Sequence, residues 1–367
     1  MLTTRHRKPA LHNASLNFFE YETTLYVDLY SKNFEGGHII GSMSSSLSLA
    51  GTDLERALES HRRELTGYCY RMMGAGSEAE DAVQETMVRA WASIDRFEGR
   101  SSLRTWLYSI ANNICIDMLR SPQRRARPME MGPSTATAEV VLGDQLPEHM
   151  FVQPIADERV IDVDGDPADV AAARESIRLA FVAALQHLPA RQRSVLILRE
   201  VLQWQATEVA ELLETTVASV NSALQRARAT LAGMQGEALD PTLDPDHRAL
   251  LARYVDAFER YDIPALVGLL RDDVVLSMPP WDVWLRGPQE LADWFLGTGI
   301  VCEHGRLLPI NVNGTAGYGN YHLVRPGLWE PWAVQVIEVA GGRIVGHHNF
   351  LFPELFAEFG LPDRIEA

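Results

Sequence analysis

The spacing of apolar positions predicts two helical stretches separated by a polar interval. Between residues 53 and 125, small and apolar side chains recur every three or four residues, as on one face of a helix. A first stripe comprises Ala79, Ala82, Val83, Thr86, Met87, Ala90 and Trp91, and a second comprises Leu107, Ile110, Ala111, Ile114 and Met118. Gly99, Ser101 and Ser102 indicate a break between them. Helical periodicity returns at Pro167 and continues to Leu231.

A different pattern begins at about residue 247. One predicted helix, from about His247 to Leu270, is followed by segments rich in β-branched and aromatic residues. These predicted strands are Val274–Met278, Leu308–Val312, Gly317–Val324, Trp332–Val339 and Arg343–Phe350. Gly341 and Gly342 between the last two predict a hairpin turn. The fold class is therefore a multidomain chain, with two all-α domains followed by an α+β domain.

These patterns divide the chain into six parts. Residues 1–48 are expected to be a leader, either without stable structure or upstream of a natural start at Met43. The remaining parts are a helical domain at 53–125, a linker at 126–170, a second helical domain at 171–233, a short linker at 234–246 and the α+β domain at 247–367. The long linker contains several prolines and an acidic cluster, so it is expected to be solvated.

Charge is distributed very unevenly along the chain. The formal net charge of −16 argues against nucleic-acid binding by the chain as a whole. However, Met129–Val170 holds ten acidic residues and one arginine, whereas Arg96–Arg127 holds seven arginines and two acidic residues. A basic segment that could contact nucleic acid thus directly precedes the acidic linker.

Several classes of protein are not indicated by the sequence. Cys69, Cys115 and Cys302 are far apart and form no CxxC pattern, so neither a disulfide framework nor a zinc site is expected. A reducing cytoplasm is the expected compartment. No apolar run approaches the length of a membrane span, and no secretory signal follows the basic N-terminus. No glycine-rich phosphate loop appears, so no cofactor and no metal are expected.

Residues 205–231 predict a helix-turn-helix. A short helix, about Ala206 to Leu213, precedes a turn and a second helix for which Thr216 is the expected N-cap. The apolar stripe of the second helix comprises Val217, Val220, Leu224, Ala227 and Leu231. Its other face carries small, polar and basic residues suited to base edges and phosphates, namely Ala218, Ser219, Asn221, Ser222, Gln225, Arg226 and Arg228. An ordinary helical hairpin is the alternative.

The basic segment supplies a second candidate site. The predicted helix from Thr105 to Leu119 carries aromatic and amide side chains and is flanked by arginines, a combination suited to bases exposed on a single strand. These residues are Trp106, Tyr108, Asn112 and Asn113, with Arg100, Arg104, Arg120, Arg124 and Arg125. Two alternatives stay open: Trp106 belongs to the core, or the arginines form a solvated helix end.

Three ordered motifs resemble the extracytoplasmic-function sigma factors of the sigma-70 family. Residues 81–86 with 89–91, then 97–107 and 110–120, are similar to the family's second conserved region. Residues 188–193 and the helix-turn-helix are similar to its fourth region. Together the matches cover about 130 residues, which is more specific than a lone helix-turn-helix.

The resemblance implies partners and roles for particular residues. The partners would be core RNA polymerase, through the clamp helices of its largest subunit and its flap region, and promoter DNA. Contacts to the clamp would come from Asp81, Gln84, Glu85 and Arg89. Contacts to the −10 element would come from Arg100, Arg104, Trp106, Asn112, Asn113 and Arg120. Contacts to the −35 element would come from Thr216, Ala218, Ser219, Asn221, Ser222, Gln225, Arg226 and Arg228.

Two features of the chain modify this expectation. Glu214 occupies the turn position where the family usually has glycine, and Asn221 and Ala223 stand where basic residues are frequent. The phosphate affinity of this domain alone should therefore be modest. The acidic linker is expected either to run through the polymerase interior as a mimic of nucleic acid or to be a plain disordered spacer.

The C-terminal part resembles a SnoaL-like fold of the nuclear-transport-factor-two type, found in a subgroup of these sigma factors. Residues 251–258, 278–281, 284–287 and 359–362 carry this resemblance. It implies a cone-shaped α+β domain with an apolar cavity for a small-molecule ligand. Candidate lining residues are Trp281, Trp284, Tyr321, Trp332, His347 and Asn349, and packing in a closed core is the alternative for the aromatic ones. His347 and His348 are adjacent on one predicted strand, so at most one of them faces a cavity.

The sequence therefore favours an alternative sigma factor, without enzymatic activity, whose C-terminal domain modulates its function. A one-component helix-turn-helix regulator with a ligand-sensing domain is the first alternative, and an enzyme with an accessory helical domain is the second. The motif at Asp81–Trp91 favours the sigma factor, because a one-component regulator has no use for a polymerase-binding helix.

Overall fold

Two helical domains and one α+β domain follow one another along the chain, in the order that the sequence predicts. The computed structural model describes residues 54–97, 101–120, 134–147, 150–232, 239–240 and 244–367. The predicted leader, Arg100, Arg124, Arg125 and most of residues 234–246 lie outside the described residues. Residues from Leu58 onward form one compact unit. Within the described part of the chain, no helix is both long and apolar enough to cross a membrane.

In the described part of the first helical domain, helical residues 54–59 precede three longer helices. They are α1 (Arg62–Met73), α2 (Gly76–Ser93) and α3 (Leu103–Leu119). Ser102 begins α3, because its Oγ accepts a hydrogen bond from the backbone N–H of Thr105 at 3.0 Å. Most of the predicted apolar stripe of α2 is buried, but Trp91 is 45% exposed, so its assignment to the buried face was wrong. Trp91 directly follows the buried Ala90, and one residue turns a helix by about 100°.

The second helical domain contains the predicted helix-turn-helix. Helices α4 (Asp157–Val160) and α5 (Pro167–Glu175) lead into α6 (Leu179–Gln186), α7 (Ala190–Leu196), α8 (Ala206–Leu212) and α9 (Val217–Leu231). The Oγ1 atom of Thr216 accepts a hydrogen bond from the N–H of Ser219 at 3.2 Å, which confirms the predicted N-cap. Glu214 lies in the turn with φ of 47°, a left-handed conformation that explains why glycine suits this position.

The C-terminal domain packs helices against a mixed sheet. Its helices are α10 (Pro245–Glu259), α11 (Ile263–Val267), α12 (Pro288–Leu296) and α13 (Leu355–Glu358). Its strands are β1 (Leu270–Ser277), β2 (Trp284–Arg286), β3 (Arg306–Val312), β4 (Thr315–Arg325), β5 (Leu328–Ala340), β6 (Arg343–Phe350) and β7 (Ile365–Glu366). The order β2-β1-β6-β5-β4-β3 has one parallel pair, β1 with β6, and β7 pairs with β5.

The predicted strands are present, but the predicted helix from His247 to Leu270 is wrong as a single element. Tyr261, with φ of 55°, turns the chain between α10 and α11, and Leu270 already belongs to β1. Helix α12 and the short strands β2 and β7 were not predicted. Two of these are only two or three residues long, too short for a periodic pattern to appear.

The core of the C-terminal domain lies between its helices and one face of the sheet. Tyr254 and Phe258 of α10 and Phe295 of α12 pack with Ile337 of β5, and all four are at most 3% exposed. The opposite face of the sheet is also covered, since Tyr321 packs edge-to-face on Phe356 with ring centroids 5.0 Å apart. Both faces of the sheet therefore contribute to folding.

The prediction of a solvated linker is wrong for much of the described segment. Phe151, Val152 and Ile155 are at most 4% exposed, and Ala156 forms a β-bridge to Val312. Further upstream the chain stays exposed but hydrogen-bonds to the C-terminal domain, as in the bond from the N–H of Thr135 to the carbonyl of Trp284 at 2.9 Å. The apolar residues between the acidic ones drive this burial, which a charge count does not detect.

We expect Ile337→Ala to lower the free energy of unfolding by about 2–5 kcal/mol, because the side chain is fully buried and the change leaves a cavity. Val324→Ala is the matched control on the same sheet, since Val324 is 51% exposed. It should change stability by less than about 0.5 kcal/mol. Urea unfolding followed by circular dichroism measures both, and equal effects of the two substitutions would contradict this packing.

Candidate nucleic-acid interface

The exposed face of α9 carries all of the predicted −35 residues. Thr216, Ala218, Ser219 and Asn221 are exposed at its beginning, and Ser222, Gln225, Arg226 and Arg228 continue the same surface. Val220, Leu224 and Ala227 face inward and hold the helix on α7 and α8. Small and polar side chains at the start of such a helix allow its backbone to approach base edges closely.

Two details of α9 refine its expected phosphate contacts. Ala223 is only 7% exposed, so the absence of a basic residue at this position removes no contact to DNA. Arg228 forms an ion pair with Glu200, with Nη2 and Oε1 2.5 Å apart. Arg226 is the other basic residue of this surface, and it borders a cavity of about 210 Å³ between α7 and α9.

The predicted −10 residues on α3 do not share one environment. Asn113 and Arg120 are exposed, and Arg120 pairs with Asp117 at 2.9 Å. Trp106 is half-buried and packs on Phe97 with ring centroids 5.0 Å apart. Trp106 thus retains an accessible surface while it packs on the segment between α2 and α3.

Asn112 is covered by the second helical domain. Its side chain is 2% exposed, and its Oδ1 accepts hydrogen bonds from Tyr68 Oη at 3.1 Å and Ser194 Oγ at 2.6 Å. Tyr68 lies on α1 and Ser194 on α7, so three helices from two domains meet at this amide. In this arrangement Asn112 cannot contact a base.

A second contact between the helical domains involves aromatic rings and Arg104. Trp204 packs on Tyr108 with ring centroids 5.0 Å apart, and the guanidinium of Arg104 lies 5.1 Å from each ring centroid. Arg104 also donates to Glu64 Oε2 at 2.7 Å. Arg104 therefore already contacts an aromatic pair and a carboxylate. In a complex with DNA, a base would take the place of the aromatic pair and a phosphate that of the carboxylate.

A cleft of about 400 Å³ remains between the two domains on this side. Asn113, Arg120 and Arg191 line it, together with Leu213 and Glu214 of the helix-turn-helix. The turn of the helix-turn-helix therefore lies opposite the exposed part of the predicted −10 surface. Movement of the second domain would widen this cleft and uncover Asn112.

The predicted polymerase-binding residues lie along the solvent side of α2. Asp81, Gln84 and Arg89 are exposed, and Glu85 pairs with Arg89 at 2.6 Å. Val88 and Trp91, which were not singled out as binding residues, add exposed apolar area to the same helix. A mixed apolar and charged helix face of this kind is typical of a protein-binding surface.

The six pocket candidates of the C-terminal domain do not converge on one site. Trp281 donates to the carbonyl of Gly143 at 3.2 Å, and with Trp284 it borders a gap of only about 10 Å³ beside Phe151. Tyr321 packs on Phe356, while the ring of Trp332 stacks on His322 with centroids 4.1 Å apart. A ligand could not contact these four aromatic residues together.

His347 and Asn349 do lie together, inside the core. His347 Nε2 is 2.8 Å from Tyr254 Oη, and His347 Nδ1 is 2.9 Å from Asn349 Nδ2. Tyr254 Oη in turn donates to Gln335 Oε1 at 2.8 Å. Burial, with a smaller contribution from His348, lowers the pKa of His347 to about 3. The four polar side chains thus hydrogen-bond one another in their neutral forms. His347 is uncharged at neutral pH, and its Nε2–H donates to Tyr254 Oη.

The two adjacent histidines of β6 face opposite sides of the sheet, as predicted. His348 hydrogen-bonds to Ser277 Oγ at 2.9 Å and lies 3.6 Å from Glu338 Oε2, away from the Tyr254 side. The described residues contain no group of three or more His, Cys, Asp or Glu side chains that could hold a metal ion.

Helix α1 forms a junction that sequence reasoning missed. All its residues from Leu65 to Met73 are buried, and the excess of apolar and aromatic residues around Tyr68 and Tyr70 could have indicated this, although Thr66 and Arg71 interrupt the series. Arg71 Nη2 donates to Ser176 Oγ at 2.6 Å, and its Nε donates to the Ser176 carbonyl at 3.1 Å. Burial lowers the pKa of Arg71 to about 10. Among the described residues no carboxylate pairs with this buried cation, which holds α1 to the segment that precedes α6.

Asp157 occupies a second buried position in this junction. Its Oδ1 accepts a hydrogen bond from the N–H of Gly314 at 2.8 Å, and its Oδ2 lies 3.7 Å from Arg174 Nε. Burial raises the pKa of Asp157 to about 6, although the Gly314 hydrogen bond and Arg174 oppose the increase. The ionised carboxylate is therefore held at an energetic cost.

Comparison with known proteins gives consistent matches along most of the chain. Residues 57–125 match the family model for sigma-70 region 2, and residues 178–231 match the model for sigma-70 region 4. The chain is 41% identical over 319 residues to the ECF RNA polymerase sigma factor SigG of Mycobacterium tuberculosis, which covers 85% of each chain. It is 30% identical over 326 residues to SigJ of the same organism, covering 83% of this chain and 94% of SigJ.

A solved structure shares the fold. The crystal structure of Mycobacterium tuberculosis SigJ superposes with a TM-score of 0.55 at 24% sequence identity, and the alignment covers 85% of this chain and 100% of SigJ. The order of two helical domains and a third, α+β domain is thus found in another protein.

The pKa of Asp157 predicts a pH-dependent contribution to stability. Because folding raises this pKa from 3.8 to about 6, the folded state binds more protons, and the contribution of Asp157 becomes more favourable as pH falls. Between pH 7.5 and pH 5 the free energy of unfolding should gain on the order of 1–2 kcal/mol from this group. Asp157→Asn keeps an acceptor for Gly314 and should lack this gain.

The measurement is the difference in unfolding free energy between the native chain and Asp157→Asn at several pH values, because other titrating groups cancel in the difference. The variant should be the more stable protein at pH 7.5, and its advantage should shrink toward pH 5. A difference that does not vary with pH would contradict the assignment.

Proposed function

The chain belongs to the extracytoplasmic-function sigma factors of the sigma-70 family, and from this membership we propose how its domains divide the steps of transcription initiation. As a member, it binds core RNA polymerase and promoter DNA and directs initiation, and it is not an enzyme. A one-component helix-turn-helix regulator has no counterpart to sigma-70 region 2, so the match to this region excludes that alternative. Membership of the family excludes the alternative of an enzyme with an accessory helical domain.

The exposed face of α2 is the proposed contact to polymerase. Asp81, Gln84, Glu85 and Arg89 would dock on the clamp helices of the largest subunit, with region 4 on the flap. Trp91 supports this role, because tryptophan and arginine are common in binding hot spots, and Val88 adds exposed apolar area beside it. We infer that the protein is located in the cytoplasm, where the polymerase works.

The proposed promoter contacts use both helical domains. The start of α9 would enter the major groove at the −35 element, and the observation that carries this proposal is that all eight predicted residues are exposed on one surface. The −10 strand would be contacted by Arg104, Trp106, Asn113 and Arg120. Arg100, the further predicted contact, lies outside the described residues. Asn112 would join them only after region 4 moves away from Ser194.

Modest affinity of region 4 for DNA is part of the proposal. Arg228 is already paired with Glu200, so a phosphate must compete with a carboxylate for this guanidinium. Tethering of region 4 to polymerase would compensate, since it raises the effective concentration at the −35 element.

The acidic linker would change its position during assembly. For its negative charge to run through the polymerase interior in place of nucleic acid, Phe151 to Asp157 must first leave the C-terminal domain. This segment holds no basic residue, and the carboxylate of Asp157 is destabilised by burial, which favours its release into solvent at neutral pH.

We infer that the C-terminal domain modulates activity by binding the linker and the two sigma regions. The interior of the domain is filled by Tyr254, Phe258 and Phe295. Its buried polar group around Tyr254 and His347 is joined by mutual hydrogen bonds, so the proposal includes no small-molecule ligand. Its contacts to the rest of the chain instead favour the arrangement in which Asn112 is covered.

Charge reversal tests the polymerase contact. Arg89→Glu should weaken binding to purified core polymerase by about tenfold or more, because it introduces repulsion at the centre of the proposed surface. Arg260→Glu is the matched control: Arg260 is also exposed and also pairs with a carboxylate four residues earlier. It should leave the dissociation constant unchanged, and equal effects of both variants would refute the assignment of α2.

Truncation tests the role of the C-terminal domain. Removal of residues 240–367 should raise promoter-directed transcription by core polymerase several-fold, on the order of 3–10-fold, because the covered arrangement loses its stabilising contacts. Transcription in vitro with saturating promoter and limiting factor measures the effect, and circular dichroism checks that both sigma regions remain folded. Unchanged output would eliminate the regulatory role.

A further inference from the structure

The tip of the β3–β4 hairpin makes its hydrogen bonds outside its own domain. This hairpin tip (Asn313 and Gly314) has a left-handed backbone, with φ of 50° and 72°. The backbone N–H of Asn313 donates to the carbonyl of Ile155 at 3.1 Å, and its Oδ1 accepts from the N–H of Ile155 at 2.9 Å. Its Nδ2 donates to Tyr70 Oη and to the carbonyl of Ile177, each at 2.6 Å.

One fully buried side chain therefore contacts three different parts of the chain. Tyr70 belongs to α1 of region 2, Ile155 belongs to the linker, and Ile177 lies immediately before the first helix of region 4. A hairpin that served only its own sheet would direct an Asn side chain at its tip to solvent, because the turn itself needs only the backbone conformation.

Gly314 lies in the same junction and has no room for a side chain. Its N–H donates to Asp157, and a Cβ atom at this position would lie 2.5 Å from the carbonyl oxygen of Arg174, at the end of α5. Backbone, and not a flexible side chain, occupies this space, so no larger residue fits without separating the hairpin from α5. The Gly341–Gly342 tip of the neighbouring hairpin has the same left-handed backbone, but nothing lies within 4 Å of an added Cβ there.

Helix α1 connects the hairpin tip to the covered part of the predicted promoter surface. Tyr70 lies two residues from Tyr68, which holds Asn112 together with Ser194 of region 4. The segment bonded to Asn313 also carries Ser176, which is bound by Arg71 of the same helix. At the hairpin tip the C-terminal domain thus contacts region 2 and the entry to region 4, on the side of α1 opposite to the interface that covers Asn112.

We propose that the hairpin tip is the autoinhibitory contact through which the C-terminal domain keeps region 4 over the −10 surface of region 2. The inference deepens the regulatory role proposed above and rests on it. The contact is polar, and each of its hydrogen bonds can be exchanged for one to water on opening. Release of the tip would therefore weaken the hold on both sigma regions without exposing the core of the C-terminal domain.

Two glycine substitutions in the full-length chain test the proposal. Gly314→Ala and Gly342→Ala introduce the same side chain at a left-handed position, but only the first meets the backbone of α5. Gly314→Ala should bind core polymerase about 3–10-fold more tightly than the native chain, because a larger fraction of molecules is competent to bind. Gly342→Ala should bind as the native chain does.

The measurements are fluorescence anisotropy with purified core polymerase and the radius of gyration from small-angle X-ray scattering. Gly314→Ala should also have the larger radius of gyration, which a purely local effect on the turn would not produce. Equal affinity and equal radius for the two variants would overturn the proposal.

A second pair of substitutions covers the case in which Gly314→Ala misfolds. Asn313→Ala removes the side-chain hydrogen bonds to Tyr70, Ile155 and Ile177, whereas Asn311→Ala changes an exposed amide of the same hairpin. Asn313→Ala alone should reproduce the gain in affinity. If truncation at residue 240 raises transcription while Asn313→Ala changes nothing, the hairpin tip is excluded and the regulatory role stands. If truncation changes nothing, the regulatory role itself fails.

Discussion

Helix α1 has no solvent-exposed side between Leu65 and Met73, so its buried polar side chains must be hydrogen-bonded, and three of them find partners in other parts of the protein. Tyr68 bonds to region 2 and region 4, Tyr70 to the linker and the C-terminal domain, and Arg71 to the segment before α6. An unpaired buried hydroxyl or guanidinium would cost more than its hydrogen bond contributes. This requirement links the three domains, because no single domain supplies all the partners.

Under the proposed function, promoter DNA and region 4 would compete for one surface of region 2. Asn112 and Arg104 offer donors and acceptors that suit an unstacked base, and in this arrangement Ser194, Trp204 and Glu64 occupy them instead. Replacement of these contacts by DNA or polymerase is an exchange between polar partners, which carries a small net energy. A factor held in this way can open without losing the hydrophobic cores of its domains.

Charge and burial need not agree in the linker. Its acidic residues predict solvation, yet Phe151, Val152 and Ile155 are buried against the C-terminal domain, and Asp157 is buried with them. Apolar area removed from water outweighs the charge of neighbouring residues that stay exposed. Polar residues are also buried in the C-terminal domain. There Tyr254, His347 and Asn349 hydrogen-bond one another and occupy the space in which a ligand would bind.

The sequence by itself determined what depends on neighbours a few residues apart: the helical stripes, the Thr216 cap, the exposed face of α9, most strands of the sheet and the family. Only the tertiary structure decided that Asn112 is covered, that the linker is buried and that the six pocket candidates do not converge. These outcomes depend on partners far apart, such as Tyr70 and Asn313, which are separated by 243 residues. Periodicity reports which face of an element is buried, but it carries no information about which distant group satisfies a buried polar atom.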